Sequence, residues 1–384
     1  MERKRVYLDY AATTPVEKRA IEAMLPYMTE LFGNPSSKHC FGKEAKKAVG
    51  KSRDLIVDGL GIKGSSKMIF TSGATESNNL AIFGVARAMQ AKGRHIITCA
   101  TEHKAVLKPC TRLERDGFEV STIGVDADGI IDLQQFSDSL RDDTVMVSVL
   151  HTHNEIGIIQ PVQEIGRICR ERNIVLHCDA TQSIGKTHFS MDDLQIDLLS
   201  LSAHKFYGPR GVGALVIRES AKDFDIEAQI YGGGQQMRLR SGTVNVAGIV
   251  GMAEAFKVAE GEWQQDYLRY FKYRDFIKNT LQKQLDGIYF NGSQTQCCPS
   301  ILNVGFRGLE IDDLLSEISE IAVSSASACG SENPRPSYVL KAMGQTESES
   351  RNALRISFGR FTTQDDLSYS VERIVEAVKK LRKN

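Results

Sequence analysis

From Met68 to Ile217 the chain repeats one pattern: a short apolar run, then a turn carrying a polar group, then in most cases a helical stretch. Met68-Ile69-Phe70 leads into Thr71-Ser72-Gly73-Ala74-Thr75-Glu76, and Ile96-Ile97-Thr98 leads to His103. Val145 to Leu150 leads to Asn154, and Ile174-Val175-Leu176 leads through His177 and Cys178 to Asp179, with Gln182 close behind. Asp197 to Leu201 leads into Ser202-Ala203-His204-Lys205. Runs of strand length alternating with helical stretches describe a mainly parallel sheet covered on both faces. Such a sheet sets the carboxyl ends of its strands along one edge, where ligands bind, so five polar groups are expected to converge there.

Lys205 is the most telling of them. It follows an apolar strand and precedes Phe206-Tyr207-Gly208-Pro209-Arg210-Gly211, a turn before the next strand at Ala214. A lysine partly withdrawn from water has the depressed pKa that imine formation needs. The glycine turn at Gly73 opens a helix whose first N–H groups, with the Thr75 hydroxyl, suit a phosphate. Each residue has a plainer use when taken singly: Thr75 and Asp179 as helix caps, His103 as a satisfied histidine, Lys205 as a surface charge. Their common position at strand ends favours a phosphorylated pyridine cofactor.

Ile21, Met24, Leu25, Met28 and Leu31 mark an early amphipathic helix. A long helical stretch begins near Val244, is expected to be bent or broken on its way to Gln284, and reads as a bridge between domains. Beyond it, apolar runs at Ile288, Ile301, Ala322 and Leu354 and a last helix through Leu367, Val371, Ile374, Val378 and Leu381 describe a smaller α+β domain. The division expected is a large α/β domain over 13–255 and a small one formed by 1–12 with 256–384.

The 48 acidic and 48 basic residues balance, giving no electrostatic case for nucleic acid or a membrane surface. Met1-Glu2-Arg3-Lys4-Arg5 has no apolar run behind it, and no stretch approaches the length of a membrane span, which reads as a cytoplasmic protein. The eight cysteines show no C-x-x-C pair and no metal-ligand spacing, so neither a disulfide framework nor a metal is expected. Cys329 stands apart. It lies within Ser324-Ser325-Ala326-Ser327-Ala328-Cys329-Gly330-Ser331, ahead of Pro334 and Pro336, a composition that describes an exposed, mobile loop (about 324–336) presenting a thiol.

Together with these residues, Tyr7 to Pro15, Phe32-Gly33-Asn34-Pro35-Ser36-Ser37, Thr101 to Val106, Asn154-Glu155-Ile156-Gly157, Asp179-Ala180-Thr181-Gln182 and Arg240-Ser241-Gly242-Thr243 give the chain an order and spacing that resemble the NifS/IscS-type cysteine desulfurases. These are class-V aminotransferase relatives of the aspartate-aminotransferase-like fold (pyridoxal-phosphate fold type I). The resemblance implies that Lys205 carries pyridoxal phosphate and moves a proton at the substrate Cα. It implies that Asp179 meets the pyridine nitrogen, Gln182 the ring hydroxyl and His103 the ring face. Ala74, Thr75, Ser202 and His204 would hold the phosphate, and Thr243 would reach the phosphate of a partner subunit, which makes a homodimer. Arg355, with Asn34 and Asn154, would clamp the carboxylate of L-cysteine, and the thiolate of Cys329 would take its sulfur as a persulfide for an acceptor protein, leaving L-alanine. Iron–sulfur assembly, tRNA or cofactor thiolation and DNA phosphorothioation all draw on enzymes of this kind. A selenocysteine lyase, an aminotransferase of the same fold and a non-catalytic partner-binding homologue are the competing readings.

Some positions depart from the family pattern. His153 stands where relatives often have asparagine and reads as a neighbour of the site; Arg238 stands where they often have glycine, so a left-handed backbone there would alter the loop before Thr243. Gly330 replaces a usual threonine, and Pro334 and Pro336 would stiffen the segment beyond Cys329. The chain ends at Asn384, soon after the last helix, where housekeeping members carry a tail that docks an iron–sulfur scaffold; scaffold docking in the standard way is not expected.

Overall fold

The computed structural model describes residues 4–219, 224–325 and 336–383; Cys329 and the segment 326–335 lie outside the described residues. In chain order the strands are β1 (Val6–Tyr7), β2 (Ser66–Thr71), β3 (His95–Cys99), β4 (Glu119–Ile123), β5 (Thr144–Leu150), β6 (Val175–Asp179), β7 (Leu198–Ser202), β8 (Gly213–Arg218), β9 (Ile288–Asn291), β10 (Ile301–Phe306), β11 (Ile321–Ala322), β12 (Ser324–Ser325) and β13 (Ala353–Ser357).

Seven of them form one sheet in the order β2-β8-β7-β6-β5-β3-β4. All run parallel except β8, which is antiparallel to both β2 and β7. The reversal has a local cause: only residues 203–212 join β7 to β8, too few for a helical crossover, so the chain turns back as a hairpin and Lys205 sits in the turn. Both faces of the sheet are buried. Ile97, Val147, Leu176 and Leu199 face one core, and their chain neighbours Ile96, Met146, Val175 and Leu198 face another. That two-sided burial is why these runs are continuously apolar rather than alternating.

A second, antiparallel sheet has the order β12-β13-β10-β9, packed with the helix Gln364–Leu381 around a separate core that includes Leu302, Val304, Leu354, Ile356, Leu367 and Ile374. The N-terminal segment joins this part: β1 pairs with β11, and Asp9 bridges to Ser357. The helix Val246–Gln284 is unbroken over 39 residues, about 58 Å, so of the expected bend or break the break does not occur. It buries Ile249, Met252 and Phe256 in the first core and Tyr270, Ile277 and Leu281 in the second. Each half is pinned by its own core, and no proline interrupts the helix.

The early helix forms over Lys18–Thr29, and Met24 meets the long helix at Gly251. Its apolar face nevertheless points outward, with Ile21, Leu25 and Met28 at 45%, 52% and 64% exposure and Phe32 beyond it at 69%. Among the described residues no helix is long and apolar enough to cross a membrane.

Candidate active site

A cavity of about 510 Å³ opens at the carboxyl edge of the large sheet. The ends of β2, β5, β6 and β7, the turn before the helix Lys104–Arg115, the N-terminal segment and β13 all contribute to its wall.

One end is a cradle of backbone. β2 gives way to Ser72-Gly73, and the helix Ala74–Ala88 begins with its first N–H groups facing the cavity at Ala74 and Thr75. Gly73 has φ +154°, and a Cβ added at Gly213 on β8 would lie 2.5 Å from its Cα, so the two chains touch backbone to backbone. The Thr71 and Ser77 hydroxyls meet at 2.8 Å, and Glu76 accepts the Ser72 N–H at 2.8 Å while pairing with Arg240 Nε at 2.8 Å. Ser202 and His204 face the cradle from the end of β7. Burial, then Lys205, Arg210 and Lys186, push the His204 pKa down to about 4, so its ring is neutral at pH 7.

Asp179 lies deeper, at the end of β6. Its Oδ2 accepts from Asn78 Nδ2 at 2.7 Å and its Oδ1 from the Thr181 N–H at 3.0 Å. His103 caps the helix Lys104–Arg115 by accepting the Ala105 N–H on Nδ1 at 3.0 Å, so the proton of its neutral ring is on Nε2. Burial lowers its pKa, Lys205 and Lys104 lower it further, and Asp179 opposes them. The neighbouring Glu102 carboxyl is fully buried; burial raises its pKa well above the usual carboxylate range, and Oε1 accepts the Leu150 N–H at 2.7 Å.

Lys205 Nζ donates to the carbonyls of Ala11 and Ala12, each at 2.7 Å. Burial, then the charges of Lys186 and Arg355, bring its pKa to about 7, against the opposing pull of Asp9 and Asp179. Gln182, also lining the cavity, donates through Nε2 to the Ala11 carbonyl at 2.8 Å. Arg355 on β13 donates from Nη1 to the Asn154 carbonyl at 3.1 Å, and from Nη2 to Asp9 Oδ1 at 2.7 Å and Ser324 Oγ at 3.1 Å. Among the described residues its buried Nε has no hydrogen-bond partner.

Ala74, Thr75, His103, Asn154, Asp179, Gln182, Ser202, His204, Lys205 and Arg355 therefore line one cavity. Asn34 and Thr243 do not. Both are exposed, and the Asn34 side chain accepts the Ser36 N–H of its own turn. Cys329 is outside the described residues. His153 faces away from the cavity: Nε2 donates to the Thr101 carbonyl at 2.8 Å and Nδ1 accepts the Glu155 N–H at 3.0 Å, tying the Asn154 turn to the His103 turn. Arg238 has φ +66°, so the position does take the left-handed backbone, and the loop accommodates arginine there. Sequence reasoning passed over Asp9 and Asn78, which hold Arg355 and Asp179; Asn78 could have been found as the buried polar residue one turn into the glycine-opened helix.

A helix N-terminus at one end, a fixed carboxylate deeper in, an amine of lowered basicity at the side and an imidazole beside them suit a phosphorylated pyridine aldehyde such as pyridoxal phosphate. Comparison with known proteins agrees. The model of the class-V aminotransferase family matches residues 6–369. Cysteine desulfurase IscS of Neisseria meningitidis is 48% identical over 378 residues, 98% of this chain and 93% of the relative. The enzyme of the same name from Mannheimia succiniciproducens is 46% identical over 380 residues, with the same coverage. Among solved structures, a NifS-like protein superposes with a TM-score of 0.91 at 36% identity, covering 98% of this chain and all of that one. SspA in complex with cysteine gives 0.81 at 36% identity, covering 93% of this chain and all of that one. The cavity, the sheet that builds it and these likenesses agree, and the chain belongs to the class-V aminotransferase family, on its pyridoxal-phosphate-dependent cysteine desulfurase branch.

Proposed function

We propose that the residues of this cavity carry the cysteine desulfurase activity of the chain, with Cys329 receiving the sulfur. The enzyme acts on L-cysteine and passes sulfur to acceptor proteins. The observation that carries the assignment is Lys205 at the end of β7, its amine held against the Ala11 and Ala12 carbonyls in one cavity with Asp179 and Arg355.

Pyridoxal phosphate, when bound, supplies a sink for the electron pair left on the substrate Cα. The N–H groups of Ala74 and Thr75, the Thr75 and Ser202 hydroxyls and His204 would hold its phosphate. Asp179, fixed by Asn78 and Thr181, would keep the pyridine nitrogen protonated, and Gln182 would donate to the ring hydroxyl. His103, whose Nδ1 accepts the Ala105 N–H, would have Nε2 available to move a proton beside the ring. Lys205, its basicity lowered by burial and by the charges of Lys186 and Arg355, would carry the cofactor and would move the proton at the substrate Cα. Arg355 and Asn154 bind the substrate carboxylate. The Cys329 thiolate then attacks the substrate sulfur, the carbon–sulfur bond breaks with its electron pair going to Cβ, and Cβ gains a proton. L-cysteine and the Cys329 thiol give L-alanine and a Cys329 persulfide, with no outside oxidant.

A homodimer fits the outward apolar face of Ile21, Leu25, Met28 and Phe32 and the exposed Thr243, which in a dimer would be available to the second site. The reactive thiol suits the reducing cytoplasm. Balanced charge gives no electrostatic case for a nucleic acid or a membrane surface, which supports a protein acceptor.

The test is purified protein with L-cysteine and a reductant, assayed for alanine and sulfide. Wild type should make both and Cys329→Ala neither; products undiminished in Cys329→Ala would remove Cys329 from the reaction. L-selenocysteine turned over by Cys329→Ala while L-cysteine is not would favour selenocysteine lysis.

A further inference from the structure

Lys186 is a buried cation that the chemistry above leaves unused. It lies four residues beyond Gln182 in the turn that follows β6, is 5% exposed, and its Nζ donates to Gln182 Oε1 at 2.6 Å. Gln182 Nε2 donates to the Ala11 carbonyl at 2.8 Å, and the same carbonyl accepts from Lys205 Nζ at 2.7 Å. One amide and one carbonyl thus connect the two lysines. An amide can present either end to a neighbour, but an ammonium only donates. With Lys186 behind it, the Gln182 oxygen must face Lys186, and the NH₂ must face Ala11 and the cavity. Enclosing an ammonium with a single neutral acceptor costs stability, so folding alone does not account for it.

We propose that Lys186 is a positioning residue of the active site, which fixes the Gln182 amide with its N–H groups toward the cavity and places a second positive charge behind Lys205. The proposal rests on the desulfurase reading and extends it to a residue that touches neither substrate nor cofactor. The charges acting on Lys205 are Lys186, Arg355, Asp9 and Asp179, and Lys186 is foremost among those that lower its basicity. Burial brings the Lys186 pKa down to about 8, with Cys298 opposing that shift and Arg355 adding to it.

The holoenzyme tests this through the pH midpoint of its visible absorption change, which reports protonation of the Lys205 nitrogen. Lys186→Gln keeps a donor and removes the charge, and its midpoint should rise by about one pH unit or more. Lys186→Arg should stay near wild type, and Gln182→Met, which breaks the connection but leaves both lysines, should move the midpoint less than Lys186→Gln does. A Lys186→Gln protein that is folded by circular dichroism and keeps the wild-type midpoint overturns the proposal, as does a Lys186→Arg protein whose midpoint moves as far as that of Lys186→Gln. Failure of the desulfurase reading would show separately, as wild-type protein that makes no alanine from L-cysteine.

Discussion

Arg355 Nη2 lies 2.7 Å from Asp9 Oδ1, so the arginine assigned to the substrate carboxylate already holds a carboxylate of its own chain. The pairing follows from the Asp9–Ser357 bridge, which lays the N-terminal segment beside β13. Nη2 is filled by Asp9 and Ser324, Nη1 donates to Asn154, and Nε has no partner among the described residues.

A substrate carboxylate taking two parallel bonds from this guanidinium must share or displace Asp9. Asp9→Asn should therefore lower the KM for L-cysteine, about tenfold if the competing charged bond is worth about 1.5 kcal/mol. Arg355→Lys, which cannot make the paired bonds, should raise it. Steady-state kinetics on both variants checks the pair; an unchanged KM in Asp9→Asn would mean that Asp9 does not compete.

Gly213→Ala should weaken cofactor binding. The added methyl would lie 2.5 Å from both Gly73 Cα and the Leu201 carbonyl oxygen, too close for either, and the cradle has to open. Overpacking of this kind costs about 1–3 kcal/mol, which predicts a rise of about 5- to 150-fold in the Kd for pyridoxal phosphate, measured by equilibrium dialysis.

Glu155 should make stability fall between about pH 4.5 and about pH 7. Burial raises its carboxyl pKa to about 7, against the opposing effects of Ser337, Arg355 and Lys104. The folded protein therefore holds this proton more tightly than the unfolded chain, an advantage present in full below the unfolded pKa and lost as pH rises through about 7. The size is on the order of 3 kcal/mol. Urea titrations of wild type and Glu155→Gln across that range should differ in slope, the variant losing this contribution. Glu155 accepts from Ser337, which caps the helix Tyr338–Ala342, so the same range should alter protection of that helix in hydrogen exchange.

Arg238→Gly should stabilise the protein. Gln236, Met237 and Arg238 are consecutive left-handed residues, with φ +45°, +58° and +66°. A side chain in that region costs about 1–2 kcal/mol, which glycine avoids at some expense in unfolded-state entropy. A net gain of about 1 kcal/mol in urea unfolding is expected, and a loss would show that the Arg238 side chain contributes more than its backbone costs.

The strand ends were legible because each local segment carries its own signal: an apolar run of strand length, then a polar turn. Lys205, Asp179, His103, Asn154 and the Gly73 turn could be assigned to one edge from that pattern, since a parallel sheet allows no other arrangement of its carboxyl ends. The reversal of β8 was less visible, because a short link and a crossover differ only in the count of intervening residues. The expected break in the long helix failed for a different reason. The stretch Val246–Gln284 stays helical throughout because its two halves are buried in two separate cores.

The sequence by itself determined the sheet, the cradle and the lysine, because these depend on residues close together in the chain and on backbone preferences that neighbours set. Tertiary structure decided the partners: Asp9 for Arg355 across 346 positions, Asn78 for Asp179 across 101, and Ala11 shared by Lys205 and Gln182. It also decided that Asn34 lies outside the cavity and that the face of the first helix is left bare. Hydrogen bonds and charges act over a few ångströms of space without regard to chain separation, so their pairing is fixed only once the two cores have closed.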